Sequence, residues 1–198
     1  RRESFSMDQI KRLLSVANEE WRGIILAGLY TGQRLGDIAT LTWSNIDLQK
    51  EEIHHFADKQ GKSIHIPIAK PLMEYLETIP AEDIPNAPLF PKASHAVLSQ
   101  EGRTATLSGQ FRRIMESAGL VPKRTWKSTG KGRTSTRQFN PLTFHSLRHT
   151  ATSLFKEAGV PHAAVQDIIG HESEAGSRIY THIGDQAKRD AVNKLPKI

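Results

Sequence analysis

The chain has 198 residues, with 27 Lys plus Arg against 21 Asp plus Glu, a formal charge of +6 and an isoelectric point near 9.7. That length suits one domain with a substantial core, and 37% hydrophobic with 24% charged residues excludes a disordered polyelectrolyte and a membrane-embedded chain. Zero cysteines exclude disulfide scaffolds, zinc ribbons and thiol nucleophiles, and the basic balance fits a soluble intracellular protein with a polyanionic partner.

Ser6 followed by Gln9 reads as a capping box, with Phe5 and Ile10 placed for a hydrophobic staple. Ile10, Leu13, Leu14 and Ala17 then repeat as one buried helical stripe. A second helix is expected from Asn18 to Thr31. Its nearly continuous apolar content (Ile24, Ile25, Leu26, Leu29) predicts a central position, and Gly32 a stop. The longest apolar stretch, Gly23 to Tyr30, is far shorter than the ~20 residues that cross a bilayer, and the opening residues lack the apolar segment of a secretory signal. A short helix follows, Leu35 to Leu41. Glu52 to Phe56 and Ser63 to Ile68 are β-branched-rich runs joined by a Gly-containing connection, which predicts a hairpin. Pro67 makes the second strand an edge or ends it early.

Helical texture returns over Lys70 to Ile79, and Pro80 to Pro91, with four prolines, reads as a surface connection. A further amphipathic helix is expected over Ser108 to Ala118, ended by Gly119. Val121 to Pro141 is dense in Lys, Arg, Ser, Thr and Gly, and no acidic residue occurs between Glu116 and Glu157. Lys123, Arg124, Lys127, Lys131, Arg133 and Arg137 lie in this segment. It reads either as a solvated basic loop or as a segment lying along phosphates. Thr143 is a candidate N-cap for a helix burying Leu147, Ala151, Leu154 and Phe155. Gly159 closes that helix, Pro161 opens one that ends at Gly170, and a last helix spans Asp185 to Leu195.

Two local patterns carry chemistry. In Thr31-Gly32-Gln33-Arg34-Leu35-Gly36-Asp37, Arg34 begins a helix just after a glycine turn. In His145-Ser146-Leu147-Arg148-His149, helical spacing puts His145, Arg148, His149 and Thr152 on one polar face, which taken alone reads first as a solvated cationic face. Arginine's planar fork grips a phosphodiester through two parallel charge-assisted hydrogen bonds. Tyrosine becomes a covalent nucleophile only on losing its proton. With a free pKa near 10, that deficit at neutral pH is roughly 4 kcal/mol, which a base and a cationic pocket must supply. Tyr180, after the charged, Gly-containing stretch Glu172 to Arg178, is the best nucleophile candidate if Arg34, Arg148, His145 and His171 converge on it. Tyr30 and Tyr75 lie on apolar helical positions and read as packing residues. Metal-assisted phosphoester cleavage fits poorly, because two-metal sites need clustered carboxylates. His145 and His149 have zinc-ligand spacing but lack the H-E-x-x-H glutamate. His54, His55 and His65 read as ordinary strand residues.

These pieces, in this order, resemble the catalytic domain of the tyrosine recombinase (phage integrase) family. Arg34 falls on the family's first catalytic arginine, Lys59 on the lysine of the hairpin turn, His145 and Arg148 on the His-x-x-Arg box, and His171 on the second histidine. Tyr180 follows nine residues later, at the family spacing. The resemblance covers nearly the whole chain and implies a mainly α-helical α+β fold with a small antiparallel hairpin or sheet at one edge, as a single catalytic domain over residues 1–198. It implies that the family's N-terminal core-binding domain is absent from this chain.

The resemblance further implies DNA strand cleavage and rejoining without metal, ATP or another cofactor. Tyr180 would attack a backbone phosphate to give a 3′-phosphotyrosyl link and a free 5′-hydroxyl. Arg34 and Arg148 would hold the non-bridging oxygens, Lys59 would protonate the leaving oxygen, His145 would assist proton transfer and His171 would hydrogen-bond the phosphate. Lys62 competes with Lys59 for the acid role and otherwise joins the basic DNA-binding residues. Asp37 reads as support for the arginines rather than a participant. The expected partners are double-stranded DNA, other recombinase protomers in a tetramer on DNA, and accessory DNA-bending proteins, with no membrane; the expected location is cytoplasmic, at the nucleoid. A type IB topoisomerase-like enzyme and a non-catalytic DNA-binding module on the same fold remain the alternatives.

Overall fold

The computed structural model describes residues 3–57, 62–80, 84–123, 140–169 and 185–198. Among these are nine α-helices and a three-stranded antiparallel sheet, the mainly helical α+β arrangement that the resemblance implies. Helix α1 (Met7–Val16) begins at the expected capping box: Ser6 Oγ accepts from Gln9 N at 3.2 Å and Gln9 Oε1 accepts from Ser6 N at 2.9 Å. Helix α2 (Glu19–Thr31) is capped by the Asn18 side chain and runs through the core with Ile24, Ile25 and Leu29 fully buried, as its unbroken apolar sequence requires.

Helix α7 (His145–Glu157) packs along α2. Gly28 permits the close approach, because a Cβ there would stand 2.8 Å from Phe144 Cζ and 3.0 Å from Leu147 Cδ1. Phe5, Trp21, Phe111 and Phe144 close this part of the core with ring centroids 5.3–6.5 Å apart, edge-to-face and stacked geometries that each add about 0.5–1.5 kcal/mol beyond burial. Helix α6 (Ala105–Ser117) carries Phe111 and Met115 into the same core. The Thr150 hydroxyl, on α7, accepts from Phe5 N at 2.8 Å and donates to Ser146 O at 2.8 Å, joining α7 to the chain's beginning.

The sheet order is β1 (Ile46–Asp47), β2 (Glu52–Ala57), β3 (Lys62–Pro67). Register pairs Ile53 with Ile66 on the core face and His54 with His65 on the opposite face. Pro67 does both things expected of it, ending β3 on an edge of the sheet. Helix α4 (Lys70–Thr78) follows, with Leu72 and Leu76 buried.

Departures from expectation are local. Helix α5 (Pro91–Leu98) occupies a stretch given no element in the sequence; Pro91 opens it, and Ala93, Ser94 and Val97 are buried. The two-residue strand β1 is too short to leave a period-2 signal. Helix α6 starts three residues ahead of Ser108, and α3 (Leu35–Ala39) stops two short of Leu41. Thr143 does not cap α7. Phe144 holds the N-cap position without a side-chain cap, and Ser146 Oγ instead accepts from Thr143 N at 3.1 Å. Helices α8 (His162–Ile169) and α9 (Asp185–Asn193) complete the order. No helix among the described residues is long and apolar enough to cross a membrane.

Candidate functional site

Helix α2 ends in a left-handed turn. Gly32 has φ +64°, and its N–H donates to Gly28 O at 3.1 Å. Any other residue would be strained in that conformation, and a Cβ at Gly32 would also press on Ile169 Cγ1 at 3.0 Å. The turn does two things. It exposes the Gly32 carbonyl toward α7, and it starts α3 two residues later with Arg34 at the N-cap position, φ −72° and ψ 152°.

Arg148 of α7 answers that carbonyl: its Nη1 donates to Gly32 O at 2.8 Å. The side chain is buried, at 7% exposure, so the solvated-face reading of the His-x-x-Arg stretch fails for Arg148. It holds for His149, which is exposed. Burial pushes the Arg148 guanidinium below its usual range, the charge of Arg34 pushes the same way, and Asp37 opposes them. The two arginines, 114 positions apart in the chain (148 − 34), therefore share one electrostatic site with Asp37. Asp37 sits in the first turn of α3, where helix polarity favours a carboxylate. Two like charges held together beside one carboxylate form a site whose electrostatic strain falls when a further anion arrives.

His145 is the first residue of α7, one turn before Arg148 and half-buried. Its ring lies 5.0 Å from that of His149 at 84°. Thr152 Oγ1 donates to Arg148 O at 2.9 Å, which holds the backbone of this stretch in place.

Sequence reasoning missed Gln33. Its Nε2 donates to Ile168 O at 2.9 Å and to Thr31 O at 3.2 Å. The carboxyl end of α8 is thus tied to the turn that carries Arg34. The only signal was a polar residue in an otherwise tightly packed turn, which does not by itself name a partner 135 positions away.

Among the other expected residues, Lys123 is exposed after α6, and Lys62 opens β3. Lys59, Arg124, Lys127, Lys131, Arg133, Arg137, His171 and Tyr180 lie outside the described residues. The two other tyrosines behave as packing groups. Tyr30 is 1% exposed, and its hydroxyl donates to Pro196 O at 2.9 Å. Its pKa is pushed up to about 12 by burial and then by Glu74. Tyr75 is pushed up to about 12 by burial and then by Glu19 and Glu20. Both surroundings oppose the phenolate that a nucleophile needs.

Comparison with known proteins gives one consistent answer. The model of the phage integrase family matches residues 3–187. Tyrosine recombinase XerA of Pyrococcus horikoshii is 27% identical over 197 residues, a match covering 98% of this chain and 62% of that protein. The chain thus spans less than two-thirds of the length of this relative. Among solved structures, the integrase of mycobacterium phage Brujita matches with a TM-score of 0.66 at 21% identity, over 99% of this chain and 60% of that one. The lambda integrase catalytic core matches at 0.56 and 22% identity, over 87% of this chain and 95% of that one. The same integrase, solved as a tetramer bound to a Holliday junction, matches at 0.55 and 24% identity, over 93% of this chain and 50% of that one.

Proposed function

This chain belongs to the phage integrase family, and we propose that it carries the cleavage chemistry of a site-specific recombinase that breaks and rejoins double-stranded DNA. The observation that carries this reading is the meeting of a buried Arg148, anchored on the Gly32 carbonyl, with Arg34 and Asp37 in one electrostatic site. A phosphodiester is the anion such a pair fits, since two guanidinium forks match its non-bridging oxygens and stabilise the charge that builds in the transition state.

In this reading Tyr180 Oη attacks the phosphorus. The new P–Oη bond forms as the bond to the 5′ oxygen breaks, leaving a 3′-phosphotyrosyl link. The phenol proton passes to a base, for which His145 and His171 are the candidates, and Lys59 delivers a proton to the departing 5′ oxygen. The phosphodiester's energy is retained in the covalent link, so religation by a 5′-hydroxyl reverses the same steps. Asp37 holds the arginines in register by offsetting their mutual repulsion. The basic residues Lys62, Lys123, Arg124, Lys127, Lys131, Arg133 and Arg137 lie along the DNA backbone. Other protomers join on DNA, as in the lambda integrase tetramer on a Holliday junction, with accessory DNA-bending proteins at the target site.

A nicked suicide duplex carrying the cognate site tests this. The expected result is a covalent protein–DNA adduct that forms in EDTA and disappears in Tyr180→Phe. An adduct that persists in Tyr180→Phe, or that requires a divalent ion, overturns the reading. Recombination of paired sites, rather than relaxation of a supercoiled plasmid without partner exchange, separates it from a type IB topoisomerase.

A further inference from the structure

A second group of titratable side chains lies on the sheet. Strand alternation puts Glu52 and His54 on the same face of β2, and the register sets His65 of β3 directly across from His54. The two imidazole rings are 4.3 Å apart. Glu52 has a side chain only 8% exposed, and its two carboxylate oxygens are used differently. Oε1 accepts from Arg189 Nη2 of α9 at 2.8 Å. Oε2 faces His54 Nε2 at 3.3 Å and His65 Nδ1 at 3.8 Å.

We propose that Glu52, His54 and His65 form a binding site for a divalent transition-metal ion of the zinc class. One donor atom from each residue lies within 4.8 Å of the other two. In a tetrahedral zinc site with bonds near 2.0–2.1 Å, neighbouring donors stand about 3.4 Å apart. The two separations from the carboxylate, 3.3 and 3.8 Å, are within a few tenths of an ångström of that value, and the third, between the two imidazoles, is no more than 4.8 Å. Two imidazoles and one carboxylate are donors that zinc accepts, whereas calcium and magnesium prefer all-oxygen sets. Arg189 supplies the outer hydrogen bond that orients a ligating carboxylate and leaves Oε2 turned toward the histidines. The His54 and His65 side chains are 32% and 46% exposed, which gives an ion an entry path and space for water as a fourth ligand. The β2–β3 ladder holds all three donors, so little order has to be created on binding. The site shares no residue with the arginine site and does not depend on the recombinase reading.

The test titrates Zn²⁺ alone into the chelator-treated chain by calorimetry. One equivalent is expected to bind, with affinity falling about tenfold or more in each of Glu52→Gln, His54→Ala and His65→Ala. His149→Ala controls for the His145–His149 pair and is expected to leave the affinity within about twofold. Co²⁺ in place of Zn²⁺ is expected to give visible absorption bands that the same three variants lose. If Glu52→Gln fails to fold, His65→Ala, the most exposed of the three, decides alone. Absence of saturable binding, or loss in His149→Ala with the sheet variants unchanged, overturns the proposal.

Discussion

Two charged clusters among the described residues are built on opposite plans. At the α2–α3 turn, a left-handed glycine and a backbone carbonyl anchor Arg148 beside the segment that carries Arg34, and burial, then the charge of Arg34, pushes Arg148 below its usual range. On the sheet, Glu52 receives Arg189 on one oxygen and faces two histidines with the other, so the guanidinium and carboxylate charges satisfy one another. The first arrangement lowers its energy by admitting an anion. The second already has its buried charge paired as it stands. Burial alone does not distinguish them, since Arg148 and Glu52 are both nearly inaccessible; the sign of the neighbouring charge does.

Arg148→Lys is the largest expected break in that contrast. It keeps the charge but loses the planar fork and the fixed bond to Gly32 O, so cleavage of a nicked duplex should fall by about 10²–10³-fold, well beyond what the accompanying stability loss of about 1–3 kcal/mol explains. Equal rates for the two proteins would remove Arg148 from the chemistry. Arg189→Ala should do the converse. It strands a buried carboxylate and should cost about 2–3 kcal/mol of stability in denaturant unfolding, while the folded fraction cleaves at the normal rate. Gly32→Ala touches both properties of the arginine site. The positive φ and the contact with Ile169 should cost about 1–2 kcal/mol, and the displaced carbonyl should slow cleavage beyond what the loss of folded protein explains.

The smallest effect concerns the phenols. Spectrophotometric titration should show Tyr30 and Tyr75 ionising only near pH 12, with any earlier component lost in Tyr180→Phe. Because their folded pKa values are raised, unfolded phenols lose protons first. The stability they contribute is therefore intact below about pH 10 and lost as pH rises beyond it. A single transition of all three near pH 10 would contradict the burial of these two side chains.

Much of this was legible from the chain. The capping box at Ser6 and Gln9, the central helix, the hairpin and the glycine stop at Gly32 follow from local chemistry, and local chemistry is what sequence records. Arg34, Arg148 and Asp37 were nameable because each sits in a short patterned stretch. Their convergence was an inference, since nothing local says that the Gly32 carbonyl accepts from a residue 116 positions later. Gln33 and the Glu52–Arg189 pair were illegible for the same reason: both are long-range contacts of single side chains with no periodic signature. Helix α5 was lost because Pro91 reads equally as the end of a proline-rich connection and as the first residue of a helix.

A double-mutant cycle on Arg34 and Arg148 tests the central claim most directly, with the single-turnover cleavage rate as readout. If both guanidinium groups serve one phosphate, Arg34→Ala and Arg148→Ala should each slow cleavage severely, and the double variant should lose far less than the product of the two single losses. Independent, multiplying losses, or a normal rate in either single variant, would show that the two arginines do not act on the same phosphorus.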